Sequence, residues 1–378
     1  YLDNGATTYP KPPEVARAVE RGIRIFGGNP GRGGHRYSME AGRMGYRCRE
    51  RAADFFGCSA PERVVFTSNA PMALNFAIKG VLRPGDHVVT SCFEHNAVAR
   101  PCHKLQQQGV EWTIAGQGPE EDPLVEAFEK AIRPNTRLVI CNHASNVFGN
   151  LLPIERIGQL CRERGILFLV DASQSAGVVP ISMEKMNIDL LCTAGHKGLF
   201  GPQGTGLLLW SGKGELDTLL EGGTGGDSME LRQPQDWPDR MESGTGNVPG
   251  IMGLEAGMAF IQRVGMKNIH QKEQRLRTMV KEGLERMPHV KVISLSRKNT
   301  GVLSFQMEGM DCEEVARRLD QKGIAVRAGL HCAPLAHQTA GTLEQGTVRG
   351  SFGPFNTPQQ CKKLLWEVGN LKNVARHI

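Results

Sequence analysis

The most suggestive chemistry lies around Lys197, in Ala194-Gly195-His196-Lys197-Gly198, with more glycine at 201 and 204. A lysine in such a turn can form an imine with an aldehyde, and small neighbours let a planar ring lie close to backbone. Taken alone, a His-Lys pair in a loop reads as a solvated lysine, so its company decides. Upstream, Phe168-Leu169-Val170 leads into Asp171, with Gln174 three residues on. A carboxylate there can keep a pyridine nitrogen protonated, and so an electron sink; on its own it would read as a turn cap. Ser91-Cys92-Phe93-Glu94-His95 offers an imidazole able to stack on a heteroaromatic ring, or simply a buried histidine. Asn146, in Ser145-Asn146-Val147-Phe148-Gly149, could donate to a phenolate oxygen beside Gln174. Thr67-Ser68-Asn69-Ala70-Pro71 turns a strand into a helix, whose first turn, at Asn69 and Ala70, suits a phosphate.

These groups need a scaffold that delivers each to one edge. Val64–Thr67, His87–Thr90, Leu138–Cys141, Ile166–Val170, Leu190–Cys192 and Gly206–Leu209 are short apolar runs, most of them followed by Gly, Asn, Asp or His. Continuous apolar strands alternating with helical patterns predict a doubly wound α/β sheet covered on both faces. Ligands bind beyond the carboxyl ends of such strands, where these polar clusters fall. Residues 214–248 read as a long loop, and Ile251–Met287 as a long helical stretch. A second β/α pattern follows: Val290–Leu295, Val302–Phe305, a helix near Cys312–Lys322, Ile324–Arg327, Val348–Phe352 and a last helix from Pro358. The expected division is a large domain over 16–250 and a small α/β domain over 251–378, with residues 1–15 packing on the latter.

Composition limits the partners. The chain has 378 residues, 40% hydrophobic and 22% charged, with net charge +6. No basic run is dense enough for nucleic acid, and no apolar stretch is long enough for a bilayer. Ten cysteines lack disulfide or metal-ligand spacing, which suggests a reducing, cytoplasmic setting, with no signal peptide and no metal. Cys92, Cys141 and Cys192 read as packing residues.

The motifs together resemble the cysteine desulfurases, in the class V aminotransferase-like branch of fold-type-I pyridoxal-5′-phosphate (PLP) enzymes. They are Leu2-Asp3-Asn4-Gly5-Ala6-Thr7-Thr8, Glu94-His95-Asn96, Ser145-Asn146-Val147-Phe148-Gly149, Val170-Asp171-Ala172-Ser173-Gln174, Gly195-His196-Lys197 and Gly244-Thr245-Gly246-Asn247. The resemblance implies Lys197 as the Schiff-base lysine, His95 on the ring, Asp171 on its nitrogen, Gln174 near its phenolic oxygen and Asn146 near cofactor and substrate. It implies His196 by the phosphate, and Thr245 reaching the partner subunit's phosphate in a homodimer. Arg349 matches the carboxylate-binding arginine, a fork that lysine cannot replace. Cys332, in Arg327-Ala328-Gly329-Leu330-His331-Cys332, matches the nucleophile that takes sulfur from L-cysteine as a persulfide, leaving alanine, for onward transfer to an acceptor protein. Iron–sulfur or thio-cofactor synthesis would be its use. The stretch 333–347 reads as mobile.

Three positions depart from the family pattern: Pro71 and Ala194 stand where hydroxyl donors to phosphate are usual, and Met72 replaces a Glu. Ser68, Asn69, Thr193, His196 and Thr245 are the expected compensation. Selenocysteine lyase, a class V aminotransferase and a non-catalytic PLP-fold scaffold are the other readings.

Overall fold

A computed structural model describes residues 1–31, 33–116, 118, 120–226 and 229–375. Its strands are β1 (Val64–Thr67), β2 (His87–Ser91), β3 (Glu111–Ala115), β4 (Thr136–Asn142), β5 (Leu167–Asp171), β6 (Leu190–Ala194), β7 (Gly206–Trp210), β8 (Val290–Ile293), β9 (Val302–Met307), β10 (Arg327–Gly329) and β11 (Thr347–Ser351). Its helices are α1 (Pro13–Arg24), α2 (Arg36–Phe56), α3 (Ala70–Val81), α4 (Asn96–Gln106), α5 (Glu121–Ala131), α6 (Ile154–Arg164), α7 (Val248–Val264), α8 (Met266–Glu285), α9 (Cys312–Gln321), α10 (Pro334–Thr339) and α11 (Pro358–Ala375).

The first seven strands form one sheet in the order β1-β7-β6-β5-β4-β2-β3. Strands β2 to β6 run parallel, and β7 is antiparallel to both β1 and β6. Apolar alternation feeds two cores, one per face. Val139, Cys141, Phe168, Val170, Leu191 and Leu207 point into a cluster with α2, α5, α6 and α7, whereas Leu138, Ile140, Leu167, Leu169, Leu190 and Leu208 meet α3 and α4. A strand buried on both faces has no polar side to show, so its sequence reads as an unbroken apolar run.

The second sheet, β10-β11-β9-β8, is antiparallel throughout. Its cluster draws on α8, α9 and α11, and also on Leu2. The first residues are held there: Asp3 bridges Ser351, Leu2 N–H bonds Ala325 O at 2.9 Å, and Asn4 Nδ2 bonds Ser351 O at 2.9 Å.

Four details differ from the sequence reading. The edge strand β3 carries no apolar run, since Glu111 and Ile114 are exposed and only Ala115 is buried. The strand expected at Ile324–Arg327 forms instead at Arg327–Gly329. The long helical stretch breaks at Gly265, whose φ of 89° ends α7 and starts α8; the α7 residues Ile251, Leu254 and Met258 then pack into the large core. The stretch expected to be mobile contains α10, with Ala333, Ala336 and His337 fully buried. Among the described residues no helix is long and apolar enough to cross a membrane.

Candidate active site

Parallel pairing puts the carboxyl ends of β2, β4, β5 and β6 on one edge. From these ends come His95, Asn142 and His143, Asp171, and the Gly195-His196-Lys197 turn. In register, Asn142 pairs with Asp171, and Asp171 with Cys192.

The Asp171 Oδ1 accepts from Ser173 N–H (2.9 Å) and Ser173 Oγ–H (2.5 Å), so its carboxylate is fixed by its own turn. Burial above all lowers Lys197 to about 8; nearby Asp171 works against this, and Arg349 and Arg327 add to it. His95 caps α4, its Nδ1 accepting the Ala97 N–H at 3.0 Å, which leaves the proton of a neutral ring on Nε2. Burial, then Lys197, hold that imidazole down at about 4, with Asp171 opposing. Lys197 and His95 are thus desolvated, and both lie close enough to Asp171 to feel its charge. The turn itself is braced from the N-terminal segment: Lys197 O accepts from Thr8 Oγ (2.9 Å), and His196 O from Thr7 Oγ (3.1 Å) and Lys11 Nζ. The His196 ring is lowered to about 4 by burial, then by Lys197 and Lys11. Gln174 Nε2 donates to Gly5 O at 2.9 Å.

A second group lies on the small-sheet side. Arg349 is 1% exposed; its Nη1 donates to Asn146 O (2.8 Å) and its Nη2 to Asp3 Oδ1 (2.6 Å). Asn146 Nδ2 donates to His331 O at 2.7 Å. Asn146 therefore joins the arginine to the residue before Cys332. Arg349 Nε and Asn146 Oδ1 are both buried without a partner, a donor and an acceptor that a bound amino acid could satisfy. Gly5 leaves room for the guanidinium, since a methyl there would come 3.3 Å from Arg349 Cζ.

Cys332 and His331 both have positive φ, 56° and 51°, a conformation that side chains resist. The turn is held because Asn96 N–H donates to Cys332 O at 2.7 Å, next to His95. Among the described residues Cys332 is the one exposed cysteine; Cys92, Cys141 and Cys192 are buried. Arg327 Nη2 lies 3.6 Å from its Sγ, placing positive charge beside the sulfur.

The α3 end is more open. Asn69 Oδ1 caps Met72 N–H (2.9 Å), and Ser68 Oγ rests on Met72 Sδ at 3.3 Å. Asn69 packs so closely on Gly206 that a methyl there would strike its carbonyl carbon at 2.6 Å; Gly206 pairs with Ala194 across β6–β7. A cleft of about 640 Å³ runs from Ser68 and Met72 past Thr205 to Thr245. Thr193 does not serve it: fully buried, its hydroxyl lies 3.4–3.5 Å from the Ala194 and Ala172 carbonyls. Thr245 is exposed, and Asn29 Nδ2 donates to its hydroxyl at 3.1 Å.

The donor set fits PLP: a half-buried lysine of lowered basicity, a fixed carboxylate, a neutral imidazole, and a helix N-terminus beside a glycine-lined turn. Sequence reasoning missed Asp3 as the partner of Arg349, and Arg327 beside the thiol. Both stand inside motifs quoted for other members, which was the available signal.

Comparison with known proteins agrees. The aminotransferase class-V family model matches residues 1–364. The probable cysteine desulfurase of Methanothermobacter thermautotrophicus is 33% identical over 96% of this chain and 92% of its own length. That of Pyrococcus abyssi is 34% identical over 97% and 92%. The apo cysteine desulfurase of Thermococcus onnurineus superposes with a TM-score of 0.91 at 32% identity, covering 99% of this chain and 94% of that one. Fold, site and similarity over the full length thus agree: this chain belongs to the class-V aminotransferase family, among its PLP-dependent cysteine desulfurases.

Proposed function

We propose that the chain takes sulfur from L-cysteine onto Cys332, leaving L-alanine. The observation that carries this is the single exposed thiol, held by Asn96 beside His95 and flanked by Arg327. PLP, when bound, would supply an electron sink for the substrate Cα. Lys197 would hold it covalently, with His95 over the ring, Asp171 at the ring nitrogen, Gln174 and Asn146 near its oxygen, and Asn69, Ala70 and His196 at the phosphate.

The remaining work falls to the chain's own groups. Arg349 binds the substrate carboxylate, its free Nε adding to whatever Nη2 gives up from Asp3. Lys197, with its lowered basicity, accepts and returns the Cα proton. The thiolate of Cys332 attacks the substrate sulfur. A sulfur–sulfur bond forms and the carbon–sulfur bond breaks, its electron pair staying with the fragment that becomes alanine. The exposed persulfide is then open to an acceptor protein or a reductant.

A homodimer in which Thr245 completes the partner subunit's phosphate site is part of the same proposal, supported by the exposure of Thr245 along the cleft. So is a cytoplasmic role in iron–sulfur or thio-cofactor synthesis. A division into a PLP-binding unit and a smaller C-terminal unit is supported by the two sheets with separate cores.

The test is to incubate the protein and PLP with L-cysteine and a reductant, measuring alanine and sulfide together beside Cys332→Ser. Equal yields, both lost in the variant, are expected. A cofactor absorbance without either product would overturn L-cysteine as substrate and make L-selenocysteine the next candidate.

A further inference from the structure

One buried acid has no part in the scheme above. Glu273, on α8, is 6% exposed. Its carboxyl rests on the start of β9: a methyl at Gly301 would come 3.2 Å from Glu273 Oε2. That wall is fixed by Phe352 N–H donating to Gly301 O at 2.8 Å. Glu273 and Lys197 line one narrow cavity of about 40 Å³, together with Asn4, Ser173, Gln174 and Ser351. A partly polar space of that size has room for roughly two water molecules.

The charged groups around it make no ion pair with it. Arg277, one turn along α8, donates from Nε to Val302 O at 2.9 Å and leaves its buried Nη2 without a partner. Asp3 and Arg349, on the N-terminal segment and β11, pair with each other. Burial alone lifts Glu273, to about 8, and burial is the main cause that brings Lys197 down to about 8. Burial thus moves the acid up and the amine down, toward one another, which eases proton exchange between them.

We propose that Glu273 is a proton reservoir for Lys197: its neutral carboxyl passes a proton through cavity water to the lysine amine, leaving carboxylate and ammonium, and recovers it on the return. This rests on Lys197 being the cofactor-bearing amine. Glu273 acts through Lys197 and does not itself meet the substrate.

The test uses the PLP-loaded enzyme and the variants Glu273→Gln and Glu273→Asp. Glutamine keeps the shape and removes the titrating proton. Its kcat for L-cysteine should fall on the order of a hundredfold with KM unchanged. The pH midpoint of the visible absorbance of the Lys197-bound cofactor should also move down, because the carboxyl that becomes an anion on giving up its proton, and then favours the protonated form, is gone. Aspartate should restore much of both. An unchanged midpoint and kcat in Glu273→Gln would overturn the reservoir. So would equal losses in both variants accompanied by lost cofactor and a lower Tm, since that pattern marks packing alone. A wild type with no visible absorbance and no product would fail on the proposed function instead.

Discussion

The two ends of the candidate site are built on opposite terms. The Lys197 end is a product of the sheet: its groups leave four parallel strands, their backbones are paired, and burial strips water from His95, Lys197 and Asp171. The Cys332 end has an exposed thiol on two left-handed residues, held by hydrogen bonds from Asn146 and Asn96. The first end tunes acidity, and the second leaves a sulfur atom open to solvent, as the proposed role of Cys332 requires. Desolvation that would help the amine would bury the thiol away from any acceptor, which is why the two cannot share one construction.

The largest effects should come from cutting each end separately. Lys197→Ala should lose both the visible cofactor absorbance and turnover. Cys332→Ser should lose sulfide release on the order of a thousandfold or more while the absorbance stays. Loss of absorbance in Cys332→Ser would show that the ends are not independent. Arg349→Lys keeps the charge but not the fork, and leaves Asp3 without its full partner. It should raise KM for L-cysteine roughly thirtyfold, about 2 kcal/mol, measured by steady-state kinetics. Pro71→Thr restores a hydroxyl and an N–H at the α3 terminus. Titration of the visible absorbance should show PLP binding about fivefold tighter, for about 1 kcal/mol. An unchanged affinity would mean that Ser68, Asn69 and His196 already satisfy the phosphate.

The smallest effect concerns pH. His143 follows β4 directly, and burial lowers it to about 4. Between the ordinary histidine value and 4 the unfolded chain binds the extra proton and the folded one does not. This contribution to stability is therefore full above about 6.5 and is lost as pH falls towards 4. Thermal melts of His143→Gln across that window should show a shallower fall than the wild type. An identical slope would remove His143 from the desolvated end.

The six strands flanked by helices were legible because burial on both faces writes a run that needs no periodicity to detect. β3 was not, because an edge strand with Trp112 half-buried and Ile114 exposed has no such run. α10 was lost for a different reason: six residues give too little pattern, and its buried face is defined by the large core rather than by its own sequence. The same holds for α7, whose apolar positions say that one face is covered but not by which sheet. Within the site, Lys197, Asp171, His95 and Cys332 stood out because each sits in a motif of fixed local spacing. The pairing of Arg349 with Asp3 crosses 346 positions, and the bond between Asn96 and Cys332 joins two different sheets' surroundings. No local pattern carries either.

That long-range pairing has a consequence for assembly. Arg349 is made 346 residues after its partner Asp3, and Leu2 and Ser351 meet beside them. The strands that frame Lys197 are complete once residue 210 has been made, so that end can consolidate during synthesis. The carboxylate pocket cannot, because half of it waits for β11. On the proposed roles of Lys197 and Arg349, a chain still being translated could hold its cofactor lysine in place and yet have no grip on the substrate. Sulfur chemistry would then begin only after β11 has been made, a delay set by chain topology rather than by any regulator.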